Sequence, residues 1–141
     1  MEHRHEGRRI LVRFDVGEEI VSGLTELCRT HGVGCASLSG IGAVREAQVG
    51  YFDVRTLDYR IRNIREVCEL VSLIGNVALY EGEPLVHAHV GLAKGDLELL
   101  GGHLFTATVA AAVEVFLDVW ETPVVRELDP QLKLKLLAHL E

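Results

Sequence analysis

Apolar and polar residues alternate along most of this chain, and a period of two predicts strands. Arg9–Asp15 reads as a first strand. Ile20, Leu24, Leu27 and Cys28 recur instead at helical spacing. They predict a helix that opens at Gly17-Glu18-Glu19, where acids suit the positive end of the dipole, and closes at Gly32 as C-cap. Val33 to Phe52 is strand-rich but spotted with glycines, which mark bulges or close backbone approaches. Leu57 to Ile64 alternates charged with apolar residues, as a half-exposed strand does. Glu66 to Tyr80 predicts another extended segment, interrupted at Gly75-Asn76.

The second half of the chain is less uniform. The segments around Lys94-Gly95-Asp96 read as two arms of a hairpin. In Val109–Trp120 the alanines suit a helix, yet Val113, Val115, Leu117 and Val119 alternate with Glu114, Phe116, Asp118 and Trp120. The alternation predicts a strand over the second half of that segment. Asp129-Pro130 predicts a short C-terminal helix, with a cap residue and proline in the first turn. Leu132, Leu134, Leu136, Leu137 and Leu140 would form its apolar face. The sum is an α/β (α+β) fold: a mixed β-sheet, one main packed helix and the short C-terminal helix.

Composition narrows the class. A chain of 141 residues is read as one domain, residues 1–141. Its formal net charge of −7 argues against a broad phosphate-binding surface, so DNA is an unexpected partner. No apolar run reaches membrane-spanning length, and the polar start carries no apolar signal-peptide core. The expected location is cytoplasmic. Cys28, Cys35 and Cys68 form neither a disulfide framework nor a CxxC pair and read as buried reduced thiols. His3 and His5 are placed on a frayed, solvated terminus.

The chemistry concentrates in His87-Ala88-His89 and Gly101-Gly102-His103. Residues i and i+2 of a strand share a face. With Gly95 as the turn centre, His87 falls opposite His103 and His89 opposite Gly101, so all three imidazoles converge. Three neutral imidazoles suit zinc, or another divalent transition metal, and leave a position open as catalytic centres do. The competing reading is three polar residues on a solvated strand face. Glu69 and Glu114, acids among apolar neighbours, are candidates for a general base or for orienting an imidazole. Their alternative is a polar edge position or a subunit-interface salt bridge. Ser39-Gly40-Ile41-Gly42-Ala43 lacks the third glycine of a dinucleotide loop and the lysine of a P-loop, so it reads as close strand packing.

Ser39–Val44, Glu69–Gly75, His87–Val90 and Gly101–Leu104, in that order and spacing, resemble the plant-and-prokaryote conserved (PPC) domain. The likeness spans about residues 8 to 125. It implies a compact domain with a largely antiparallel sheet, a homotrimer, and a metal, usually zinc, at His87, His89 and His103. Plant relatives carry an Arg-Gly-Arg-Pro hook for the DNA minor groove, and this chain has none. The resemblance names no reaction and no small-molecule ligand. Three functions remain in play: a metalloprotein with hydrolase or lyase chemistry, a non-catalytic trimeric module that binds a protein or ligand, and a DNA-binding regulator.

Overall fold

The computed structural model describes residues 1–140. In chain order the elements are β1 (Glu2–Glu6), β2 (Arg9–Asp15), α1 (Ile20–His31), β3 (Cys35–Asp53), β4 (Asp58–Ile64), β5 (Cys68–Tyr80), β6 (Glu83–Ala93), β7 (Leu99–Val119), β8 (Val125–Leu128) and β9 (Lys135–Ala138). All strands join one sheet, ordered β1-β2-β7-β3-β5-β8-β9, with β4 on β3 and β6 bridging β5 and β7. Every pairing is antiparallel except the single β5–β8 contact, Leu79 with Val125. Among the described residues the fold is therefore a mixed, mostly antiparallel sheet with one helix.

The pairings β3–β5, β5–β6, β6–β7 and β7–β3 close a circuit. Two long strands make that closure possible. β3 pairs β5 and the far end of β7 with its first half, then β4 and the near end of β7 with its second. The register slips between Gly40 and Gly42, where β3 bends. At Gly42 a Cβ would stand 2.2 Å from the Ala112 carbonyl oxygen, so only glycine fits. The glycine-marked close approach expected in this segment is thus present.

Inward-facing residues of this circuit form one core with the apolar side of α1. Phe14, Leu73, Val77, Leu92, Val113 and Leu117 are among its fully buried side chains. The helix contributes Ile20, Leu24, Leu27 and Cys28, the positions expected from the helical spacing. It starts later than that spacing suggested. Glu19 is the N-cap, accepting from the Val21 and Ser22 amides at 3.0 and 2.7 Å, and no acid lies in the first turn. The Glu19 carboxylate also accepts from the Ala107 amide at 3.0 Å, which ties the helix start to β7. Gly32 closes the helix in the left-handed region at φ 64°.

Three expectations are corrected and one open reading is resolved. Residues 2–6 are not frayed: they pair with β2 as an exposed strand. β5 runs through Gly75-Asn76 without interruption, because Gly75 lets β6 approach closely. The alanine-rich start of Val109–Trp120 is strand as well, part of the 21-residue β7. The C-terminal helix does not form. Asp129 does cap a turn, its Oδ1 accepting from the Gln131 and Leu132 amides, but Lys133 turns left-handed at φ 57° and the chain reverses into β9. Asx-capped turns and helix starts share the same local signal, and pairing with β8 decides between them.

Candidate metal centre

The hairpin from β6 to β7 builds the site. Lys94 donates to the Glu98 carbonyl, and Leu97, at φ 66°, is the left-handed residue of the loop. The turn is therefore centred on Asp96 rather than Gly95. That moves the register by two: His89, not His87, is opposite His103, and Gly91, not His89, is opposite Gly101. A shift of two keeps side chains on the same face, so the convergence survives the correction.

One nitrogen from each of His87, His89 and His103 lies within 4.8 Å of the other two. Ring centroids are 5.1 to 5.5 Å apart. The backbone beneath is close-packed: a Cβ on Gly75 would stand 2.1 Å from the His87 carbonyl oxygen. His89 is exposed, while His87 and His103 are half-buried.

His103 packs against the rings of Tyr59 and Phe105, at 5.2 and 4.7 Å between centroids. Its Nδ1 is buried without a hydrogen-bond partner. Burial, with smaller effects from His87 and His89, pulls its pKa down to about 4. Burial first, then the charge of Arg126 and then His89, also lowers that of His87. Both imidazoles are thus held neutral, the form that ligates metal. The donor set, the orphaned nitrogen and the neutral charge state together fit a divalent ion.

Beyond the last β6–β7 pair, His89 with His103, β7 leaves β6 while its other edge stays paired with β3. The gap becomes a cavity of about 430 Å³ with His87 and His103 in its wall. Arg126, from β8, reaches across this gap. It is 7% exposed, donates to the Asn76 side-chain oxygen at 2.6 Å and the Lys135 carbonyl at 2.7 Å, and lies 3.4 Å from His87 Nδ1. Burial lowers its pKa below the ordinary guanidinium value. Sequence reasoning passed over Arg126 and Asn76. The signal for Arg126 was a polar residue at the one inward position of a short strand.

Glu69 and Glu114 stand apart from the cluster. Glu69 is exposed and opposite Ala93, four positions along β6 from His89. Glu114 is exposed and opposite Arg13 and Ile41, eleven residues along β7 from His103. Cys28, Cys35 and Cys68 are buried and free, as expected, with burial pushing the Cys28 thiol up to about 11.

These features define a class: a one-helix, mixed-sheet domain with three histidines gathered at a cavity mouth. The Plants and Prokaryotes Conserved (PCC) domain matches residues 1–121, and the chain belongs to that family, the PPC domain of the sequence resemblance. A PPC protein from Pyrococcus horikoshii is 33% identical, with a TM-score of 0.87 over 96% of this chain and 94% of that one. A metal-containing protein from Archaeoglobus fulgidus is 35% identical, with a TM-score of 0.87 over 99% of both chains. A Bacteroides thetaiotaomicron protein, named as a candidate DNA-binding protein, is 27% identical, with a TM-score of 0.94 over 97% of this chain and 96% of that one. No curated protein matches the sequence.

Proposed function

We propose that this chain is a metal-binding protein that holds a divalent transition metal, zinc before others, on His87, His89 and His103. The observation that carries the reading is the three-nitrogen cluster, all within 4.8 Å, with one buried nitrogen left without a partner. The metal-containing Archaeoglobus relative supports it. A metal there would supply Lewis acidity toward an oxygen of a small molecule in the adjoining cavity. The chain's own residues do the rest: Tyr59 and Phe105 hold the His103 ring, and Arg126 keeps a positive charge beside His87. Hydrolase or lyase chemistry is the class such a centre serves, with no carboxylate in the cluster to act as its base.

Metal analysis of protein purified in metal-free buffer and reloaded with zinc tests this reading. Close to one ion per chain in the wild type, and its loss in His89→Ala, is the expected result. Equal, sub-stoichiometric metal in both proteins rejects it.

A trimeric assembly is proposed alongside, on a separate observation. Leu11, Phe116, Ser39, Ile74 and His89 line up across paired strands on the outer face of the sheet. Phe116 is 57% exposed and Ile74 is 65% exposed, so this face offers apolar area to a second copy. DNA binding is not proposed: the net charge of −7 supplies no counterpart for a phosphate backbone. Retention of duplex DNA with a steep salt dependence would reverse that choice.

A further inference from the structure

The cavity beside the histidines is cationic in an acidic protein. Its walls include Arg126, Lys133 and Lys135 and no carboxylate, although the chain carries a net charge of −7. The ammonium of Lys135 is partly engaged, lying 4.0 Å from the Tyr80 ring centroid. Arg126 is the more telling group. It is 7% exposed, and among the described residues no carboxylate lies within ion-pairing distance of it. Its three contacts, the Asn76 side-chain oxygen, the Lys135 carbonyl and His87 Nδ1, are all uncharged. Among the described residues its buried Nε has no hydrogen-bond partner. A buried guanidinium without a counter-charge is unfavourable, because desolvation is offset only when the geometry and the opposing charge are both good.

We propose that this cavity binds a small organic carboxylate, with the Arg126 guanidinium as its counter-charge, next to the histidine cluster. The guanidinium fork matches a carboxylate better than any neutral group. The remaining walls select an apolar body: Leu85, Leu104, Phe105 and Leu136 face the same space. A cavity of about 430 Å³ falls within the range of small-molecule sites, about 300–1,000 Å³, and is too confined for a macromolecule. The proposal deepens the metal-centre reading and rests on it only for what a bound metal would add beside the guanidinium. The carboxylate itself is held by Arg126.

The test uses benzoate as the probe and benzamide, its uncharged counterpart of the same shape, as the control. Each is titrated into isotopically labelled protein, metal-free and zinc-loaded, and followed by NMR. Saturable benzoate binding that moves signals of Tyr59, His87 and His103, with benzamide at least about tenfold weaker, is the expected result. Arg126→Gln should lose at least about tenfold of the benzoate affinity while its spectrum stays folded. Equal binding of benzoate and benzamide overturns the proposal. So does unchanged affinity in folded Arg126→Gln, or no saturable benzoate binding in either metal state. Should Arg126→Gln fail to fold, the benzoate–benzamide comparison on the wild type decides alone. Zinc content of the same samples reports separately on the metal centre, so the two readings can fail independently.

Discussion

His89 and His103 face each other directly across the β6–β7 ladder, and His87 lies two positions along the same face. A directly opposed pair holds two imidazoles at a fixed spacing without help from flexible loops. The third ligand candidate comes from the same strand, so one hairpin carries the entire cluster.

Metal binding to that cluster should stabilise the fold. A ligand bound only by the native state at a hundred times its Kd adds about 2.7 kcal/mol. Thermal unfolding should therefore move up with added zinc in the wild type. His103→Ala should show little zinc-dependent rise, whatever its own starting stability.

The metal-free protein should lose stability in weak acid. His103 titrates near 4 when folded, against an ordinary value of 6.5. Below about 6.5 the unfolded chain takes up a proton that the folded chain refuses, so stability falls as pH drops. The loss should develop between about pH 6.5 and 4 and level off below, and His87 adds in the same direction. Urea unfolding across this range, in chelator, should show a shallower slope for His103→Asn than for the wild type.

Gly75 should tolerate no side chain. Its added Cβ would stand 2.1 Å from the His87 carbonyl oxygen and 2.7 Å from the Ala88 Cα. Gly75→Ala should cost about 1–3 kcal/mol in urea unfolding, the usual range for overpacking. Pushing β6 away also displaces His87, so metal content should fall along with stability.

Glu69→Gln and Glu114→Gln should leave metal stoichiometry unchanged. Both carboxylates are exposed and outside the histidine cluster. Elemental analysis of the two variants checks this, and a drop in either would bring that residue back to the site.

Self-association should depend on the outer sheet face. Sedimentation of the wild type at micromolar concentration should give about three times the chain mass. Phe116→Glu, at a position 57% exposed, should shift it toward the monomer without unfolding it. A wild-type monomer would reject the trimer.

Much of the fold was legible along the chain. Alternation at Arg9–Asp15 and Leu57–Ile64 marked β2 and β4, and the helical spacing of Ile20, Leu24, Leu27 and Cys28 marked α1. Burial on one face imposes those periods, so they can be read without the structure. The histidine positions were legible for the same reason: two residues apart on a strand means one face, and a register error of two leaves that face unchanged.

Tertiary structure alone decided the rest. The turn centre at Asp96 depends on Leu97 accepting a left-handed conformation, which no local rule prefers for leucine. The C-terminal segment carries a helix signal, and only its pairing with β8 makes it a strand. Arg126 lies 50 positions along the chain from Asn76 and 39 from His87. Contacts over such separations follow from how the sheet closes. The sequence determined which residues could share a face, because backbone periodicity is local. Which faces meet, and therefore that a buried cation sits beside three histidines, was decided by packing across the whole chain.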